Sequence, residues 1–262
     1  MSQLQATDFD FGKNWASYTD KVMDPKRVDA AVDSLNMLLA GESLSGRSFL
    51  DVGCGTGLFS AAATSLGARP ILGIDVNPLC VEVSRRNQDT YGAKTEARFQ
   101  TLSILDDAGV RAIPPFDVVY AWGSLHHSGR MWDAIRNTAS RVAPAGTFIL
   151  AIYNRHWTSG TWTWIKKMYN VSPKWLKPLW DSIFSVLLYV AKLIITRDNP
   201  LKMHRGMDFY HDVVDWIGGY PYEYASIEEI KSFVEKLGFK MARVFPAAVP
   251  TGNNQFVFHK CP

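Results

Sequence analysis

Between residues 48 and 153 the chain alternates short apolar runs with longer segments whose apolar positions recur every three or four residues. The runs Ser48–Val52, Pro70–Asp75, Ala97–Leu102, Phe116–Ala121 and Thr147–Tyr153 read as strands. Four of them are rich in Val, Ile, Leu and Phe without clean alternation, the pattern of parallel strands covered on both faces. The intervening segments Leu58–Leu66, Pro78–Tyr91 and Trp132–Val142 read as helices. Asn77 supplies an N-cap and Pro78 a first-turn proline for the second of these. Ahead of the first strand, Asp24-Pro25 opens a helix through Leu39, ended by Gly41, with Val28, Ala31, Val32, Leu35, Leu38 and Leu39 at helical spacing. Strand–helix alternation of this kind predicts an α/β fold built on a doubly wound sheet.

After the fifth strand the rhythm breaks. Residues 154–225 carry many Trp and Tyr residues, and from Arg155 to Arg205 nine Lys/Arg face two Asp, a net of +7. Regularity returns where Ser226 caps a helix through Leu237, Gly238 stops it, and strands follow at Lys240–Phe245 and Asn254–His259. The expected organisation is therefore an N-terminal arm and cap helix (1–44), an α/β core (45–153), an inserted, mainly helical cap for substrate (154–225), and a C-terminal helix and strand pair completing the core (226–262). Inside the insertion, Leu179–Thr196 is apolar apart from Asp181 and Lys192. Spanning a bilayer takes about 20 mostly apolar residues, so a buried cap helix and a peripheral membrane contact through residues 175–197 both fit.

Composition narrows the class little. The 262 residues are 47% hydrophobic and 20% charged, ordinary for a globular protein, and a net charge of +3 makes no case for nucleic acid. Cys54, Cys80 and Cys261 have neither disulfide nor zinc spacing. With no basic-then-apolar leader in the first fifteen residues, the expected compartment is the cytoplasm, with the inner face of the membrane as a peripheral alternative.

The strongest chemical signal is Phe49-Leu50-Asp51-Val52-Gly53-Cys54-Gly55-Thr56-Gly57, where a strand gives way to a helix. Glycines there allow a tight turn and let a ligand approach the backbone. The spacing is GxGxG, and Leu58 stands where a dinucleotide fingerprint has a third glycine, so the pyrophosphate pattern is not met. Asp75 ends the next strand, where a carboxylate can accept hydrogen bonds from both hydroxyls of a ribose.

DVGCGTG followed by GIDVN resembles the first two motifs of the class I S-adenosylmethionine (SAM)-dependent methyltransferases. Leu102–Asp106, Phe116–Val119, Leu125-His126-His127 and Pro144–Thr147 extend the resemblance, as do the stretches Ala151–Asn154 and Gly252–Asn254 toward a type 11/12-like bacterial subgroup whose acceptors are mostly undefined. The resemblance implies a Rossmann-like, seven-stranded sheet of order 3-2-1-4-5-7-6 with the last strand antiparallel. It also implies SAM as cofactor and S-adenosylhomocysteine (SAH) as product. Gly53, Gly55 and Gly57, with Asp51, would shape the methionine and ribose pocket, and Asp75 would hold the ribose. Ser103 and Ile104 would flank the adenine, Trp122 and Gly123 the methionine end. Phe11–Tyr18 resembles the superfamily's cap segment, so Trp15 and Tyr18 either close over the cofactor or anchor the N-terminal arm.

Methyl transfer from a sulfonium is chiefly a positioning task, with a base needed when the acceptor carries a proton. His127 is the favoured base, with His126 and His211 as further candidates. Tyr153, Asn154, Arg205, Tyr220 and Glu223 are the candidate acceptor-binding residues. No metal is expected, since Asp106 and Asp107 read as a helix start and no carboxylates follow the fourth strand. The leading reading is methylation of a small molecule, O-methylation being favoured over a small-thiol acceptor. An RNA-modifying enzyme and a non-catalytic SAM-binding partner protein are the alternatives from other classes.

Overall fold

The inner strands of the central sheet divide their side chains between two buried faces, which is why alternation is invisible in their sequence. The computed structural model describes residues 23–92, 96–197, 199, 201 and 209–261. Its strands are β1 (Phe49–Val52), β2 (Ile71–Asp75), β3 (Ala97–Thr101), β4 (Phe116–Trp122), β5 (Val142–Tyr153), β6 (Phe239–Phe245) and β7 (Asn253–Lys260). They form one sheet of order β3-β2-β1-β4-β5-β7-β6, in which β7 runs antiparallel to both neighbours. This is the order the family resemblance implies.

Helices α1 (Pro25–Leu39) and α2 (Leu58–Ser65) cover one face, where Phe49, Val118, Tyr120 and Ile149 meet Leu35, Leu38 and Ala62. On the other face, Leu50, Val119, Ala121, Phe148 and Leu150 meet α5 (Met131–Ala139) and α9 (Ile227–Glu235). Helix α3 (Pro78–Tyr91) packs beside β2 and β3, and α4 (Asp107–Ala112) precedes β4. Local signals start the helices as expected. Asp24 and Asn77 accept the backbone N–H of Arg27 and Leu79, and Ser226 forms a capping box with Glu229.

Two boundaries differ by more than two residues from the pattern-based expectation. Helix α5 stops at Ala139, and β5 begins at Val142, five residues early, because Val142 pairs with Phe116 before the register shifts. The shift accommodates Pro144-Ala145-Gly146, with Ala145 at a positive φ of 57°.

Between β5 and α9 lie α6 (Ser159–Val171), α7 (Lys177–Thr196) and α8 (Phe209–Gly218). Their shared core is small: Tyr169, Phe184, Val213 and Ile217, ringed by Trp162, Trp180 and Trp216. Helix α7 is not the buried helix its composition allowed. Only one side of it meets this core, and Leu179, Ile183, Val186, Leu187, Val190, Leu193 and Ile194 stand in solvent.

The capping box yields a simple test. Ser226→Ala should lower stability by about 1 kcal/mol through loss of the bond from the Glu229 N–H, read as a lower Tm in thermal denaturation. An unchanged Tm would show that α9 is held by its packing alone.

Candidate functional site

The turn after β1 is fastened from several sides. The N–H groups of Gly53 and Cys54 both donate to the Ile74 carbonyl (2.8 and 3.1 Å). Gly53 sits at φ 71°, and a Cβ there would lie 2.3 Å from that of Ser124, so no side chain fits. Gly57, the N-cap of α2, is backed by Ser84, whose hydroxyl donates to the Gly55 carbonyl at 3.1 Å. Asp75 then joins this turn to the next one: its two oxygens accept the N–H of Gly55 (3.0 Å) and of Asn77 (2.8 Å). Behind it, buried Asp51 accepts the Ser60 hydroxyl at 2.7 Å. Burial, with the charge of Asp75 added, pushes the Asp51 carboxyl up to about 7, while the Ser60 hydrogen bonds oppose the shift.

These residues open onto a cleft of about 2060 Å³ at the carboxyl ends of the strands, where ligands of doubly wound sheets bind. Asp51, Gly53, Gly55 and Asp75 line one end of it. Ser103 and Ile104 line it beyond β3, held by bonds from the Leu105 N–H to Ser103 Oγ and from Asn137 Nδ2 to the Ile104 carbonyl. Asp106 is occupied as the N-cap of α4. Trp122 lines the cleft and donates from its indole to Gln255 at 2.9 Å. A Cβ on Gly123 would meet nothing within 4 Å, so the backbone itself forms the wall there.

Beyond Gly123 the cleft enters the cap, and the walls become aromatic: Tyr153, Trp162, Trp216, Tyr220 and Tyr222. His127 stands at this junction. Its Nδ1 lies 2.7 Å from the Pro221 carbonyl, which can only accept, so Nδ1 carries the proton and Nε2 is the ring's acceptor nitrogen. Gly219 makes room for the ring, since a Cβ there would lie 2.6 Å from Cε1. Burial, then the charge of Lys166, lowers the imidazole to about 3, so it is neutral at ordinary pH.

Several candidate residues take other places. His126 is fully buried, edge-on to His127 and tilted on Tyr153, and does not line the cleft. Adjacent residues in a 3₁₀ turn point different ways, and only one of this pair reaches the cavity. His211 is buried in α8 away from the cleft lining. Asn154 is drawn into the β7 side, donating to the Pro250 carbonyl and accepting from Asn254. Gly57 shapes the turn without lining the cavity. Glu223 does line it, yet both carboxylate oxygens accept the Met131 N–H at the start of α5 (3.0 and 3.2 Å). Trp15, Tyr18 and Arg205 lie outside the described residues.

One residue escaped the sequence reading. Lys166 is completely buried, its ammonium 4.5 Å from the Trp216 ring, 4.7 Å from Tyr222 and 5.5 Å from Tyr153. All three rings line the cleft. Desolvation pushes the amine down to about 7, against the opposing charge of Asp215. The available signal was a cation on the inward stripe of α6, in register with buried Ser159 and Tyr169.

A family model described as "Methyltransferase domain" matches residues 25–244. A ubiquinone biosynthesis O-methyltransferase of Methylobacterium sp. (strain 4-46) is 33% identical over 117 residues, 45% of each chain. A ribosomal protein L11 methyltransferase of Deinococcus radiodurans is 37% identical over 100 residues, 37% of this chain and 35% of its own. The chain thus spans less than half the length of these curated relatives. Among solved structures, magnesium protoporphyrin IX methyltransferase from Synechocystis PCC 6803 with bound SAH aligns over 95% of this chain and 93% of its own. The TM-score is 0.58 at 17% identity, a likeness of fold. The same enzyme has been solved with SAM.

The residues present fit SAM. The cleft offers a carboxylate fixed for a diol, a bare backbone wall at Gly123 and a second carboxylate, Asp51, behind the glycine turn. Asp75→Ala is expected to weaken SAH binding about tenfold or more, through loss of charge-assisted bonds, with the far-ultraviolet circular dichroism unchanged. Calorimetry checks it, and equal affinity would remove Asp75 from the pocket. Lys166 generates a pH test. Between about pH 7 and pH 10.5 the unfolded chain holds a proton that the folded chain has lost, so stability rises with pH there. The Tm of the native protein should climb relative to that of Lys166→Met across this window, and a constant difference would refute the shift.

Proposed function

The chain belongs to the methyltransferase-domain family of SAM-dependent methyltransferases, and within it we propose that this protein methylates an oxygen of a small aromatic hydroxyl acceptor. The observation that carries the reading is the aromatic chamber beyond Gly123, with neutral His127 in its wall and Lys166 caged behind its rings. Tyr153, Tyr222 and Trp216 offer flat apolar surface to a ring. The names of the ubiquinone biosynthesis relatives, which specify O-methylation, support oxygen as the acceptor atom.

When bound, SAM supplies an electrophilic methyl carbon on a sulfonium. The acceptor must meet it as an aligned, electron-rich oxygen, and a phenolic hydroxyl ordinarily ionises near pH 10. Lys166 lies behind the Tyr153, Trp216 and Tyr222 rings with a pKa of about 7, and in its protonated form it favours the oxyanion over the hydroxyl. His127 acts by orientation. Its Nδ1–H is committed to Pro221, so Nε2 accepts the bond from the acceptor's hydroxyl. A ring lowered to about 3 holds a proton weakly, so the hydroxyl proton passes to Nε2 only as the oxygen bonds the methyl carbon and the sulfur leaves as a neutral thioether, and His127 then releases it to water in the cleft. Gly219 and Pro221, from the segment that closes the cap, fix the ring in this pose.

Transfer of radiolabelled methyl groups to a panel of catechols and phenols, thiols and single-stranded RNA tests the reading. Label on a phenolic oxygen supports it, whereas label confined to thiol or RNA overturns it. His127→Ala is expected to leave SAH affinity unchanged and slow turnover about tenfold or more, in the range of general acid–base contributions. Unchanged turnover would assign His127 to packing.

A further inference from the structure

Helix α7 leaves a solvent-facing stripe that nothing in the methyl-transfer reading uses. Among the described residues, Lys177–Ile195 is the one helix apolar and long enough to cross a membrane, with a mean hydropathy of 1.6. Leu179, Ile183, Val186, Val190 and Ile194 follow helical spacing, and Val186 and Ile194 are 65% and 70% exposed. So many adjoining aliphatic side chains form a patch on the order of the few hundred Å² that mark an interaction surface. Helix α6 carries a shorter exposed stripe of Trp164, Met168 and Val171. Trp157 and Trp175, 87% and 77% exposed, flank it.

We infer that this face of the cap is a docking surface for an anionic lipid bilayer, with α7 lying in the plane of the headgroup–acyl boundary. Charge selects lipid over a second copy of the chain. Lys174 stands at one end of the stripe and Arg197 at the other, with Lys167 exposed on α6, while Lys177 turns inward onto the Tyr169 ring at 4.8 Å. The acids nearby are engaged: Asp181 accepts the Tyr169 hydroxyl at 2.9 Å and Asp212 pairs with Lys192 at 2.9 Å. An apolar stripe edged by lysines and tryptophans is what an interfacial helix presents, its cations drawn to anionic lipid. A self-associating face would bring these like charges together.

The same packing argues against a span. Phe184, Trp180 and Leu188 belong to the cap core, and crossing would strip them from it and draw Asp181 into hydrocarbon. The stripe also meets the cleft. Ile195 is half-exposed yet lines the cavity with Leu188, Ala191 and Lys192.

Vesicle flotation tests the inference independently of any acceptor, using the full chain with phosphatidylcholine vesicles and with vesicles that also contain phosphatidylglycerol. The expected result is binding that requires phosphatidylglycerol, weakens with salt, and falls about tenfold or more in Val186→Asp/Ile194→Asp, on the cost of burying charge at the boundary. That variant must retain SAH binding, which shows that it folds and that the methyl-donor site stands apart from this result. Lys167→Gln/Lys174→Gln, which leaves the apolar stripe intact, should bind anionic vesicles more weakly. No binding to either vesicle overturns the inference. So does retention by single-stranded RNA, or a stable dimer in sedimentation, without vesicle binding.

Discussion

The Asp75 carboxylate holds the architecture of the cleft together. One oxygen accepts from Gly55 in the turn after β1, the other from Asn77 at the start of α3. Two loops that meet only at the carboxyl ends of neighbouring strands are thereby locked in one relative position. The carboxylate lines the cleft, and burial raises its pKa against the opposing backbone bonds. A second buried acid, Asp51, adds repulsion, which Ser60 only partly relieves. Such a site is strained toward a ligand that brings hydroxyl donors and positive charge, as SAM does.

What could be read from the sequence was whatever is encoded locally. The glycine turn, Asp75 and the caps at Asn77 and Ser226 depend on residues within a turn or two of each other, and the sheet order came from a resemblance carried by those segments. The cap side of the site was different. His127 meets Pro221 across 94 residues, and the Lys166 cage draws on Tyr153, Trp216 and Tyr222 from three separate segments. Local pattern contains no information on such pairings. It marked Asn154 and Glu223 as polar groups near a cavity, while their carbonyl and helix-terminus partners, on distant segments, give them structural work.

One cluster of those long-range contacts couples the cap to the turn after β4. The Glu223 N–H donates to the His126 carbonyl, its carboxylate holds the start of α5, and Pro221 accepts from His127. The three-residue segment Pro221–Glu223 therefore sets the orientation of the turn after β4. On the proposed reading, both sides of the reacting region, the Gly123 wall and the His127 ring, belong to that turn. The acceptor chamber and the donor pocket are consequently built on a common support, which is what in-line transfer between two bound molecules demands.

Helix α7 shows how the cap's small core bears on this. One side of a 20-residue helix is satisfied by Phe184, Trp180 and their neighbours, while its outer aliphatics remain in water. Fully burying a single Leu, Ile or Val side chain gains about 1.5–3 kcal/mol, so the uncovered stripe leaves several kcal/mol unrealised in the isolated chain. Contact with lipid would recover part of it without disturbing the inner face. Because Ile195 is half-exposed and also lines the cleft, the proposed contact would bring the cleft mouth to the boundary where amphiphilic aromatic molecules concentrate. An apolar acceptor would then enter along the helix and be met by Tyr153 and Trp216, never leaving an environment that suits its ring.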